Sequence, residues 1–180
     1  MRALEPGTVM KDGSIYAGIS PNTGNMMFVM PKDSYLPMTF NQAVGHAEAL
    51  NRTQSLGHED WRLPTRNELN VIFKNKEKGA LKDTFNEAGA DYRNLGRPAN
   101  HRNVEGWYRT TDWGSLYTRS AQLFKSGDQA VIFNIDLATV RYMRDGESPG
   151  VPPPPPYKTP DYVIAKRNRI KQRARTYKPE

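Results

Sequence analysis

The chain has 180 residues, a net charge of +7, three histidines and no cysteine. That length suits one domain with a hydrophobic core of its own, and the missing cysteines exclude a disulfide framework and any thiol chemistry. The charge is uneven: residues 151–180 carry eight Lys or Arg against Asp161 and Glu180, so six of the seven net positive charges lie there and the remainder is nearly neutral.

The first six residues contain no apolar run of the kind a secretory signal needs, so none is expected, and no stretch approaches the length of a membrane span. Residues 7–30 read as short strands. Asp12-Gly13 predicts a two-residue hairpin turn with positive φ at both positions, and Pro21 to Asn25 a second turn. Met26 to Met30 is the next strand. Thr39 and Gln42 have capping-box spacing, and Phe40, Ala43, Val44, Ala47 and Leu50 follow as one apolar helical stripe, with Gly57 expected as the stop.

Trp61-Arg62-Leu63-Pro64-Thr65 joins an extended segment to a helix start. Pro64 keeps Leu63 out of the α region, Trp61 and Leu63 alternate toward one side, and Thr65 with Glu68 forms a second capping box. Leu69, Ile72 and Phe73 continue at helical spacing, which predicts a helix over residues 66–75 with Gly79 after it. Residues 77–105 are poor in apolar positions and read as an irregular loop with room for one helical turn. Asp83, Glu87 and Asp91, spaced by four, read as one solvated helical face rather than a calcium site. Strands resume at Trp107. Lys125 to Asp128 is a turn between strands 121–124 and 130–134, and Val140 to Arg144 closes the sheet. Strands, two helices, a long loop and strands again make an α+β chain.

Pro152 to Pro156 form a stiff polyproline spacer within a linker at residues 149–160. Residues 161–180 are an extended basic C-terminal arm, which leaves residues 1–148 as the domain. Tyr162, Ile164 and Ile170 are its apolar anchors, and Lys166, Arg167, Arg169 and Arg173 its cations. The arm suits either acidic surfaces on other subunits of an assembly or the phosphates of a nucleic acid.

Gly57 to Leu69, with its Trp-Arg-Leu-Pro-Thr core, resembles the signature of the Lcl C-terminal domain family. Gly7 to Met10, Tyr16 to Pro21, Gly106 to Thr111, Ala121 to Phe124 and Val140 to Arg144 are similar to flanking parts of its members, so the resemblance spans residues 7–144. It implies a C-type lectin-like fold with two helices and short antiparallel strands. Many members carry cysteines near the last strand, where this chain has Met143. The calcium-dependent lectins of that fold use Glu-Pro-Asn or Gln-Pro-Asp with Trp-Asn-Asp, and this chain has none of these strings. Its formylglycine-generating enzymes work through cysteines, which are absent here.

His46, His58 and His101 are scattered and read as surface groups rather than metal ligands, and no cofactor is expected. Asp112 beside Trp113 has the chemistry of a general base, but an Asp in a polar turn reads as structural. Trp107, Tyr108, Trp113 and Tyr117 fall close together among arginines and threonines. Trp107 and one tyrosine are expected in the core. Trp113, Tyr117, Arg119 and Arg109 are the candidate ligand- or partner-binding residues, in the region that the resemblance makes the lectin-like ligand face. The expected role is non-enzymatic. It is a virion component, a decoration or tail-associated protein of a phage, docked by its arm and displaying the domain. The alternatives are a bacterial surface or secreted adhesion module for glycan or protein, and a nucleic-acid-associated protein using the arm. No membrane partner is expected.

Overall fold

Pro64 and Thr65 start the second helix where the sequence places it, and the rest of the fold is arranged around that joint. In the computed structural model, residues 4–89 and 103–147 are described. Strands β1 (Ile15–Ile19) and β2 (Met26–Val29) form a hairpin, followed by helices α1 (Phe40–Arg52) and α2 (Arg66–Asn75). Strands β3 (Asn103–Ser115), β4 (Thr118–Leu123), β5 (Gln129–Phe133), β6 (Leu137–Thr139) and β7 (Met143–Asp145) complete it. The architecture is α+β, as expected.

Both capping boxes form. Thr39 accepts from the Gln42 amide, Thr65 from the Glu68 amide, and each N3 side chain returns to its cap. Ala43 and Ala47 of α1 pack with Trp61, Leu63, Val140 and Tyr142, with Phe40, Val44 and Leu50 half-buried at the margin. Leu69 and Ile72 of α2 pack between the two sheets, against Ile15, Met27 and Val29 on one and Tyr108 and Phe124 on the other. Trp107, Val104, Ala121, Leu123, Ile132 and Ala138 form a third cluster on the opposite face of the second sheet. Trp107 and Tyr108 are thus both core.

The structure corrects several expectations. The closing strands divide into two sheets, ordered β1-β2-β7 and β5-β4-β3-β6. Val140 to Arg144 is therefore not one strand: β6 joins β3, the chain crosses, and only β7 joins β2. Nor are the strands all short and antiparallel, since β3 has 13 residues and pairs with β6 in parallel. It begins four residues before Trp107. At the first turn only Gly13 takes a positive φ (+88°). Its amide donates to the Met10 carbonyl (3.0 Å), and the Met10 amide donates to that of Ser14 (2.8 Å). This is a three-residue loop with a glycine bulge rather than the two-residue turn expected. Helix α1 stops at Arg52 with Thr53 as its cap, and Gly57 instead ends a separate 3-10 turn at Ser55–Gly57. Asp83 has a φ of +60°, so Asp83 and Glu87 do not share a helical face. Asp91, the linker 149–160 and the arm 161–180 lie outside the described residues.

Polar side chains lock the elements together. Arg62 bridges Met143 through backbone hydrogen bonds (2.8 and 2.9 Å) and sends its guanidinium to Glu68 (2.8 Å twice) and Asp145 (3.0 Å). Glu68 is fully buried and also accepts from Ser20 (2.7 Å) and the Thr65 amide (2.9 Å). One carboxylate thereby joins α2 to the Trp-Arg-Leu-Pro-Thr segment and to Ser20 at the end of β1, and Arg62 carries the link on to β7. Arg141 is likewise buried, donating to Asp33 (2.6 Å) and to the Met30 carbonyl (3.0 Å), while Tyr108 donates to the same Asp33.

Candidate functional site

The turn between β3 and β4 carries the aromatic residues singled out in the sequence. Its tip is Ser115 to Thr118, shaped by a hydroxyl pair between Ser115 and Thr118 (2.8 Å) and by the Tyr117 amide on Ser115 Oγ (3.3 Å). The Asn134 amide donates to the Tyr117 carbonyl (2.8 Å), tying the tip to the segment after β5. Gly114 permits the close strand packing there, since a Cβ would come within 2.7 Å of Thr118 and Val131.

The base of this hairpin is held by the segment that dominates the sequence. The Thr111 amide donates to the Pro64 carbonyl (3.0 Å), and Asp112 accepts from the Arg66 amide (2.5 Å) at the first turn of α2. Asp112 therefore supplements the cap of a helix, where a carboxylate meets unpaired amides and the positive end of the dipole. Arg66 Nε reaches Gln129 of β5 (2.6 Å).

On this base Trp113 and Tyr117 stand 68% and 69% exposed. Leu116, Val131, Phe133 and Ile135 are also exposed, but Arg119 pairs with both Trp113 and Ile132, so Val131 and Phe133 of the edge strand β5 stand on the other side of the sheet from Trp113. Sequence reading missed these four. The alternation of Val131 and Phe133 about buried Ile132 was the available signal, because a strand with one buried face shows period two.

The two candidate arginines lie elsewhere than expected. Arg119 is only 6% exposed. Its guanidinium carbon sits 3.5 Å from the Trp113 ring centre and 4.3 Å from that of Phe40, so it is sandwiched between rings rather than presented to solvent. Arg109 is fully buried and donates to the carbonyls of Asp136 (2.6 Å) and Phe133 (3.3 Å). It does not belong to the exposed surface: its position opposite Ala121 in the sheet turns it inward. Burial pushes its pKa down to about 10, the Asp136 charge opposing this and the Arg119 charge adding to it. The structure thus brings Trp113 and Arg119 into contact, leaves Tyr117 at the tip, and places Arg109 behind them.

His58 bonds Asp12 (2.6 Å), a carboxylate that also accepts from Arg144 (2.9 Å). Burial pushes the Asp12 carboxyl up, but its hydrogen bonds from Ser14, His58 and Arg144 prevail and hold its pKa well below the usual range. Among the described residues, no group of three or more His, Asp or Glu is placed to hold a metal ion, and no helix is long and apolar enough to cross a membrane. His101 and the arm residues Tyr162, Ile164, Lys166, Arg167, Arg169, Ile170 and Arg173 lie outside the described residues.

The family model of the Lcl C-terminal domain matches residues 21–147, and the chain belongs to that family. The match takes in both helices, the Trp-Arg-Leu-Pro-Thr joint and the aromatic hairpin. No curated protein matches the chain.

Proposed function

We propose that this Lcl C-terminal domain protein is a non-enzymatic recognition and assembly component, in which the folded domain displays an aromatic face and the basic arm fastens the protein to other subunits. The setting we favour is a virion, with the protein as a decoration or tail-associated subunit. A C-type lectin-like reading of the fold belongs to the same proposal and is supported by the two helices and two small sheets.

One observation carries the reading. Trp113, Leu116 and Tyr117 stand exposed together on a hairpin whose base is pinned by Asp112 and Thr111 to the start of α2. Exposed aromatic residues cost solubility, and a contiguous set of them on a braced hairpin marks a contact surface. Rings with few rotatable bonds lose little entropy on binding. The tail supplies the complementary half in its sequence: five consecutive prolines, Pro152 to Pro156, followed by a run of cations with apolar residues among them.

The test is a double substitution, Trp113→Ala with Tyr117→Ala, in the full chain. The purified variant should stay folded, with stability lowered by no more than the lost stacking of Trp113 on Arg119, about 1–2 kcal/mol, and lose binding to the target surface, whether a host-cell envelope or a neighbouring subunit. Unchanged binding would remove the face from the account. Binding that survives deletion of residues 157–180 and is competed by soluble glycan would instead favour the adhesion module.

A further inference from the structure

We propose that Arg109 and Arg119 form a binding site for a carboxylate beneath Trp113. Arg109 lies opposite Ala121 and Arg119 opposite Trp113, with an irregularity in β3 between the two pairs. The two guanidiniums are near enough for the charge of Arg119 to act on Arg109. Both are more than nine-tenths buried.

Their hydrogen bonds are incomplete. Arg109 uses Nη2 on the carbonyls of Phe133 and Asp136, while its Nε and Nη1 are buried without a partner. Arg119 uses Nη1 on the Thr118 carbonyl (3.1 Å), while its Nε is buried without a partner. Trp113 and Phe40 cover the flat faces of Arg119. A stacked guanidinium still offers its N–H groups in the ring plane, so an acceptor must approach edge-on. Three donor nitrogens on two guanidiniums are thus unmet, whereas buried donors in folded proteins are normally paired.

Charge selects the ligand. A water molecule would satisfy the donors but leave the charges. Asp136 offsets part of the charge on Arg109. Among the described residues of this cluster, two guanidiniums and one carboxylate leave one positive charge over. One further monoanion balances it, whereas a dianion would overshoot. A carboxylate also has two oxygens, one for each guanidinium, and charge-assisted bonds of this kind are the strong ones. Trp113 is stacked on Arg119 and largely exposed, so it lies between that guanidinium and solvent. This inference deepens the recognition reading and rests on it only for the site's biological use, because it names the chemistry that the aromatic face admits.

The experiment uses the full chain at constant ionic strength, with sodium chloride replaced stepwise by sodium acetate or by a blocked glutamate, N-acetylglutamate amide. Tryptophan emission and Tm are read together. Either carboxylate should give a saturable emission change and a rising Tm, and the tighter of the two shows whether the natural source is a free acid or a partner's side chain. Trp113→Phe should lose the emission change and keep the rise in Tm. Arg119→Gln should weaken both responses at least about tenfold, the size expected for a lost hydrogen bond between charged groups. If Arg109→Gln does not fold, Arg119→Gln and the parent titration still decide the matter. A linear, unsaturating response, or one that sulfate reproduces at equal or lower concentration, overturns the assignment. Failure here would leave the binding tests of Trp113 and Tyr117 untouched, and their failure would leave the acetate titration standing.

Discussion

Glu68 is the residue on which most depends. It is buried, holds Arg62 through two hydrogen bonds, and accepts from Ser20 and Thr65. Breaking a buried pair from one side leaves a charge without its partner, at a cost of about 3–5 kcal/mol. Glu68→Gln, which keeps the shape, should fall at the lower end, about 3 kcal/mol by urea unfolding, because Arg62 retains Asp145 (3.0 Å). Burial alone would raise the Glu68 pKa. The bonds from Arg62, the Thr65 amide and Ser20 and the Arg62 charge outweigh it, and the value drops from 4.5 to about 2. A carboxyl with a depressed folded pKa stabilises the protein above its unfolded pKa and loses that contribution as pH falls through the folded one. The parent should therefore lose stability between about pH 4.5 and 2, at a slope approaching 1.4 kcal/mol per pH unit from this group. Glu68→Gln should show a flatter profile over the same range. Equal slopes in the two proteins would assign the acid sensitivity elsewhere. At this scale the sequence was partly legible. Thr65 and Glu68 announced their capping box, but Ser20 is 48 positions from Glu68 and Asp145 is 83 from Arg62, and no local pattern forecasts partners so distant. Arg109 was misjudged for a related reason: among Trp, Thr and Asp it reads as surface, and only the register opposite Ala121 turns it inward.

The helices were the most legible elements, because a cap and an apolar stripe lie within one short window. The sheets were less so. Val140 to Arg144 looks like one strand, since the crossing between sheets leaves every residue from Val140 to Arg144 buried and hence no change of pattern. The parallel pairing of β3 with β6 has no signature in three residues. Two predictions belong here. Asp112→Ala removes the acceptor for the Arg66 amide, which should lower stability by about 1 kcal/mol, in the range of a lost helix cap, and reduce hydrogen-exchange protection at the base of the β3–β4 hairpin. Unchanged protection would show that the hairpin is braced without α2. Gly7 approaches the 3-10 turn at Gly79–Leu81 so closely that a Cβ would lie 2.2 Å from the Lys78 carbonyl oxygen, and its φ is +90°. Gly7→Ala should therefore cost more than about 1 kcal/mol and detach the N-terminal segment, read as new protease cleavage before β1. Wild-type stability in that variant would mean the segment does not dock as described.

For the whole molecule, composition separates two tasks. A nearly neutral domain carries the exposed aromatic face, and the C-terminal 30 residues carry nearly all the net charge. If cations of the arm meet acidic surfaces, attachment should weaken as salt screens them. If they meet nucleic acid, affinity should fall as a steep power of salt concentration. The most direct measurement is co-sedimentation of the full chain, and of the chain lacking residues 157–180, with assembled particles from its native source. The account predicts that the full chain pellets with the particles and that the shortened chain stays in the supernatant while keeping the parent's Tm. Equal pelleting of the two would contradict it.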